Sequence, residues 1–233
     1  MILAVAATEL EMSPLVKLLS MGGEKGTVPE PAPAWRTLIA GVGPVETTLR
    51  LTRYLESCDV QIDWVLNFGV AGAYVPEPSD SGGNAGLLDL CLAEQESFGD
   101  FGICFADHIE AFDVQLGGSV VFPLDQSLLL RAEKTLTRHG QAYQRGNFVT
   151  VAAASATRQR GMMLSARFKG LCENMEGAAV ARVCAEFSLP VLELRAISNL
   201  VQDRDLSRWQ MAAACGRAAA AAALIIGELE KSS

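Results

Sequence analysis

Four consecutive residues, Glu173-Asn174-Met175-Glu176, bring together two carboxylates, an amide and a thioether just before the small-residue run Gly177-Ala178-Ala179. Acidic side chains at a helix start complement the positive end of the helix dipole. That accounts for one glutamate, but not for a methionine held between polar residues. A second carboxylate of interest is Glu11. In Thr8-Glu9-Leu10-Glu11 it can be the third residue of a capping box or a general base at the end of a strand; both readings stay open. Asn199, after Ile197-Ser198, is a third polar residue at a strand end. A turn residue or a helix cap is the alternative there. Arg204 and Asp205, followed by Trp209, can form a cap and an ion pair, with Asp205 or Ser207 heading the last helix.

The elements that must position these residues are legible from periodicity. Residues 1–7 form a continuous apolar run suited to a buried central strand, and a helix follows to about Met21. Glycine and proline mark residues 22–34 as a loop. Ala34 to Ala40 reads as a strand. Gly41-Val42-Gly43-Pro44 begins like a dinucleotide-binding fingerprint but lacks the third glycine, and Pro44 removes an N–H. A tight turn into a helix ending near Cys58 is the better reading. Trp64 to Phe68 predicts a strand ending in the small residues Gly69, Val70, Ala71 and Gly72. Such residues let backbone approach a flat ligand closely, or simply pack.

Pro76 to Gly86 reads as a surface excursion, Leu87 to Gly99 as strand-rich, and residues 100–123 carry no clear pattern. Asp125 caps a helix to His139, Ala142 to Ala152 is a strand, and Ser155 to Arg167 a helix. A helix runs from the Glu173–Glu176 motif to Phe187, Pro190 to Ser198 is a strand, and Leu206 to about Glu230 a long final helix. This alternation predicts one α/β domain, residues 1–233, with a largely parallel sheet flanked by helices. Ligands in such sheets bind beyond the carboxyl ends of strands. The loops after strands are the expected site.

Composition narrows the function. The net charge of -8 disfavours nucleic acid or an anionic membrane as partner. The first residues lack the basic region of a signal peptide. The Ala-rich segment around Arg217 is expected to pack rather than to span a membrane. Six cysteines without paired spacing suit free, buried thiols in a reducing cytoplasm. With His108 and His139 as the only histidines, a zinc or triad site built on His is not expected.

Asn67-Phe68-Gly69-Val70-Ala71-Gly72, Asn174-Met175-Glu176-Gly177-Ala178-Ala179 and Arg195-Ala196-Ile197-Ser198-Asn199, following Ala7-Thr8-Glu9-Leu10-Glu11, occur in one order. Over nearly the whole chain this resembles the purine nucleoside phosphorylase and nucleosidase superfamily. The nearest branch contains methylthioadenosine/S-adenosylhomocysteine nucleosidase and futalosine hydrolase. The resemblance implies a three-layer phosphorylase/hydrolase-like fold, its mixed sheet having barrel character, and a homo-oligomer, commonly a dimer. It implies that Glu176 binds ribose hydroxyls beside Asn174, that Met175 packs on the sugar, and that Glu11 activates the attacking water. Val70, Ala71 and Gly72 would line the base site. No metal or redox cofactor is implied, since N-riboside cleavage needs a carboxylate against positive charge growing on the sugar and a stabilised leaving base.

In adenosine-type members of this branch the strand end that carries Asn199 here holds an aspartate. An amide offers one donor and one acceptor, which suits the 6-oxo group and N7–H of hypoxanthine better than adenine. Glu11 would repel phosphate, and no arginine stands in the first loop or in Gly69–Gly72. Hydrolysis is thus expected over phosphorolysis. The resemblance points to futalosine hydrolysis, with release of hypoxanthine in menaquinone biosynthesis. Methylthioadenosine/S-adenosylhomocysteine nucleosidase and purine nucleoside phosphorylase are the alternatives. Arg204 and Arg208 are candidates for the substrate's carboxyaryl end.

Overall fold

The computed structural model describes residues 1–21, 34–75 and 85–230. The loop expected over 22–34 and the excursion expected over 76–86 fall outside these residues, apart from Ala34, Ala85 and Gly86. In chain order the elements are β1 (Ile2–Ala6), α1 (Glu9–Met21), β2 (Trp35–Ile39), α2 (Pro44–Ser57), β3 (Trp64–Tyr74), β4 (Leu90–Phe98), β5 (Ile103–Cys104) and β6 (Ile109–Glu110). They continue with α3 (Val114–Gly117), β7 (Val121–Pro123), α4 (Gln126–Arg138), β8 (Tyr143–Thr150), α5 (Arg158–Phe168), β9 (Gly170–Asn174), α6 (Gly177–Glu186), β10 (Val191–Val201), a 3-10 turn (Leu206–Arg208) and α7 (Met211–Glu230).

The main sheet runs β10-β4-β8-β9-β3-β1-β2, and a further pairing of β10 with β3 closes its first five strands into a barrel. Strands β2, β1, β3 and β10 are mutually parallel, as are β4, β8 and β9. The two sets meet at antiparallel seams, β10–β4 and β3–β9. Most pairings of this sheet are parallel, as expected, and the seams and the β10–β3 closure make it the expected mixed sheet with barrel character. The antiparallel seams arise because among the described residues no helix separates β3 from β4, and β4 returns in the opposite sense.

Helices cover the sheet on both sides. On one, α1, α4 and α7 pack around Leu15, Leu66, Phe68, Leu129 and Ile225, all buried. On the other, α2 and α6 pack around Leu51, Val180 and Cys184. α7 is long and apolar enough to cross a membrane by composition alone. Its stripe Ala214, Ala218, Ala221, Ala222 and Ile225 is instead buried against α1, β3 and β10. Alanine lets these backbones approach closely.

Several boundaries move in ways that matter for the site. Glu173 and Asn174 end a strand, β9, rather than opening a helix. Gly69 to Gly72 lie within the long strand β3, and Asn199 within β10. The last helix starts at Met211; Leu206–Arg208 form a separate turn, capped by Asp205, whose Oδ1 accepts from the Ser207 N–H at 3.0 Å. Asp125 caps α4 as expected, accepting from the Leu128 N–H at 2.9 Å. All six cysteines are free, but Cys104 is exposed in the small β5–β6 hairpin and Cys58 is half-buried.

Candidate active site

Glu176 occupies the N-cap position of α6, yet its side chain makes no capping bond. Asn174 takes over that role. Its Oδ1 accepts from the N–H groups of Glu176 at 2.9 Å and Gly177 at 2.7 Å, while Thr150 Oγ1 accepts from the Ala178 N–H at 2.7 Å. The orphan donors of the first turn are thus satisfied by a neighbour, and the Glu176 carboxylate is left for other work. Its Oε1 accepts from the Gly43 N–H at 3.0 Å, and its Oε2 faces Arg195 Nη1 at 3.6 Å. The turn that resembled a phosphate loop therefore delivers its N–H to a carboxylate. Burial pushes the Glu176 carboxyl up from its ordinary range; Arg195 and the Gly43 N–H oppose that shift.

Beneath this loop is a charged cluster that sequence reasoning left without a role. Arg195 is 1% exposed, and Glu96 and Glu193 are fully buried. Arg195 Nε donates to Glu193 Oε1 at 2.9 Å, Nη1 to the Val70 carbonyl at 3.4 Å, and Nη2 to Asn174 Oδ1 at 3.4 Å. Asn174 Nδ2 in turn donates to Glu96 Oε1. Burial alone would lower the guanidinium's pKa, but Glu193, Glu176 and Glu11 outweigh it and hold the charge on Arg195 firmly. Burial first, and then Glu193, push Glu96 well above the carboxylate range. The cluster also explains Gly177: a Cβ there would overlap Glu96 Oε1 and come to 2.6 Å from Glu193 Oε1. The available signal was Glu193-x-Arg195 in an otherwise apolar strand, since alternate residues share a face.

Glu11 combines the two readings open at the sequence level. Its Oε2 accepts from the Thr8 N–H at 3.0 Å and Thr8 Oγ1 at 2.8 Å, the arrangement of a cap. Its Oε1 crosses to β3 and accepts from the Val70 N–H at 3.1 Å. Gly69 makes the approach possible: a Cβ there would overlap Glu11 Oε1 and lie 2.9 Å from Arg195 Nη1.

Asn199 reaches the same region through a bulge. Ile197 pairs with Ala71 and Asn199 with Gly72, so Ser198 is the extra residue. A one-residue slip turns side chains to the opposite face. Ile197 points into the core, and Asn199 points with Gly72 to the other side. Ser198 Oγ stands within hydrogen-bond distance of Asn199 Oδ1 at 2.9 Å and the Ala71 carbonyl at 3.3 Å.

These groups border one cavity of about 290 Å³. Glu11, Glu176 and Asn199 line it, with Met175, Val70, Ala71 and Gly72 between them. Asn174 also borders it, its amide engaged within the protein. Arg204 lies at its edge, its guanidinium 5.0 Å above the Trp209 ring. Arg204 and Asn199 are shared with an adjoining cavity of about 380 Å³. Arg208 borders only the latter and pairs with Asp205 at 3.3 Å. Glu173, given no role in advance, also lines the main cavity. Burial raises its pKa, against hydrogen bonds from Ser155.

Comparison with known proteins agrees with this architecture. The chain is 32% identical over 199 residues to a futalosine hydrolase of Streptomyces coelicolor, spanning 84% of this chain and 78% of that protein. It is 30% identical over 195 residues to a futalosine hydrolase of Thermus thermophilus, spanning 82% and 80%. A solved structure of a futalosine hydrolase mutant from Helicobacter pylori has the same fold, with a TM-score of 0.81 over 97% of this chain and 98% of that one, at 22% identity. The phosphorylase superfamily profile matches residues 36–229, and with that match the chain belongs to the phosphorylase superfamily.

Proposed function

We propose that this protein is a futalosine hydrolase, an N-ribosyl hydrolase acting as one unit over residues 1–233. The observation that carries the reading is the convergence of Glu11, Glu176 and Asn199, from three separate elements, on one cavity. Its similarity to futalosine hydrolases over most of the chain supports the substrate. Glu176, held by Gly43 and Arg195, accepts the ribose hydroxyls, and Met175 covers the sugar's apolar face. As the glycosidic bond lengthens, positive charge grows on the ribose ring, and a carboxylate fixed beside it stabilises it. Glu11, its oxygens oriented by Thr8 and Val70, takes a proton from the water that attacks the anomeric carbon.

Val70, Ala71 and Gly72 form the floor for the base, and Asn199 reads its edge. Its NH₂ donates to the 6-oxo group, and its carbonyl accepts from N7–H once N7 has taken a proton from solvent, so hypoxanthine leaves as a hydrogen-bonded neutral base and Glu11 afterwards returns the water's proton to solvent. Arg204, over Trp209, offers a cation to the carboxyaryl end. Among the described residues it is the arginine lining the cavity, whereas a phosphate co-substrate would call for a dedicated cationic nest next to Glu11.

Two coarser expectations belong to the same proposal. Phe101, Ile103, Phe105, Phe112 and Leu116 are all exposed. An apolar patch of this kind supports a homo-oligomer. Six free thiols suit a reducing cytoplasm.

The test is incubation with futalosine, methylthioadenosine and inosine, with and without inorganic phosphate, following free base. Release of hypoxanthine from futalosine, unaffected by phosphate, is expected. Strict dependence on phosphate, or faster cleavage of methylthioadenosine, would overturn the reading.

A further inference from the structure

The base end of the cavity has a second polar wall. Gly72 pairs with Asn199 on one side and with Glu173 on the other. Residues directly opposite one another in a sheet share a face. The Asn199 amide and the Glu173 carboxyl therefore stand on the same side of the barrel, about 10 Å apart at the backbone, twice the strand spacing. Only the hydrogen of Gly72 lies between them. A Cβ at Gly72 would come to 3.0 Å from Asn199 Nδ2, so the amide leans over this bare floor.

Glu173 is 7% exposed and borders the cavity. Its Oε1 accepts from the Ser155 N–H at 2.8 Å and its Oε2 from the Ser155 hydroxyl at 2.7 Å. Ser155 lines the cavity as well. A hydroxyl has one proton, and here it is given to Glu173. What Ser155 Oγ turns to a ligand is lone pairs, and the two Glu173 oxygens, each already accepting from Ser155, present no donor beside it. The wall facing Asn199 is thus acceptor-only. The two bases differ at the matching position: a 6-oxopurine carries N1–H, a donor, and a 6-aminopurine carries a bare N1, an acceptor.

We propose that Glu173, acting through Ser155, is a specificity-determining element for the base: Ser155 Oγ accepts the N1–H of a 6-oxopurine, and Glu173 locks that hydroxyl in the accepting orientation. Ser155 is the contacting group and Glu173 the positioning residue. This rests on the nucleoside-hydrolase reading and deepens it, because it makes base selection depend on two groups rather than on Asn199 alone. An adenine in this place would set lone pair against lone pair, and no rotation of Ser155 relieves that without breaking its bond to Glu173.

The test compares the wild type with Glu173→Gln and Ser155→Ala, with hypoxanthine and adenine as probes. Each base is titrated directly by calorimetry and as an inhibitor of futalosine turnover. Hypoxanthine affinity is expected to fall roughly tenfold or more in both variants. Adenine affinity is expected to hold or rise, since the glutamine amide lets the pair present a donor. Equal weakening of both bases would make Glu173 merely a support for the segment around Ser155 and would overturn the proposal, as would unchanged selectivity. Should Glu173→Gln fail to fold by thermal melting, Ser155→Ala decides, because it leaves the carboxyl in place. Failure of the hydrolase reading looks different: the wild type would release no base, while the calorimetric preference for hypoxanthine would still report the polarity of the wall.

Discussion

The Arg195 guanidinium stands 3.6 Å from the Glu176 carboxylate and is 1% exposed. It is the countercharge for Glu193 and Glu176 at once. Removing it leaves buried carboxylates without a partner, which costs far more than the pair contributes. Arg195→Met is expected to lower stability by about 3–5 kcal/mol, measured by urea unfolding. A loss of less than about 1 kcal/mol would mean that water or protonation compensates the carboxylates.

The pH profile should carry the signature of Glu176. Burial raises its pKa, with Arg195 and Gly43 opposing. The ribose role requires the ionised form, so activity is lost as pH falls through this raised value. The acid limb of kcat/KM against pH is expected above the ordinary carboxylate value of about 4.3. A limb at or below that value would show that Glu176 does not control the rate.

Glu96 affects stability with the opposite sign to a salt-bridged acid. Burial and the neighbouring Glu193 raise its folded pKa well above the carboxylate range. Between the unfolded value, about 4.3, and the folded one, the native state holds a proton that the unfolded chain has released. The associated stability is complete at low pH and fades as pH rises through the folded value. Glu96→Gln imitates the protonated form and should flatten the decline, read from urea unfolding at a series of pH values. An unchanged slope would mean Glu96 is ionised in the native protein.

Glu11→Gln keeps the size of the side chain and can still accept from Thr8, but it cannot take a proton from water. Turnover is expected to fall by about 100-fold or more, the scale of a lost general base, with the melting temperature nearly unchanged. Near-normal turnover would reduce Glu11 to the helix cap that its Thr8 bonds also describe.

Asn199→Asp replaces a donor-acceptor group by acceptors. Cleavage of 6-amino nucleosides should gain on 6-oxo nucleosides by roughly ten- to a hundredfold, measured as a ratio of kcat/KM values. A ratio that does not move would remove Asn199 from base recognition.

Much of the molecule was readable in the chain itself. Strands β1 and β10, the turn at Gly41–Gly43, the cap at Asp125 and the packed Ala-rich helix follow from local periodicity and turn chemistry. Glu11, Glu176 and Asn199 stood out because each is a polar residue at the edge of an apolar run. Other features were hidden for a definite reason. β9 is five residues long, and Glu173-Asn174 at its end looks like a helix start. The exposed aromatic stretch from Phe101 to Phe112 carries no periodicity because its hairpin packs little against the core.

By itself, then, the sequence determined which chemical groups the protein has and roughly where each strand would present them. Tertiary structure alone decided how those groups are used. The bulge at Ser198 selects the face on which Asn199 appears, because the side-chain period of a strand is two and one extra residue inverts it. Barrel closure between β3 and β10 carries Arg195 to Glu176, and the β3–β9 seam sets Glu173 across Gly72 from Asn199. These are contacts between distant segments. Pairing register and closure produce them, and no local pattern along the chain encodes either.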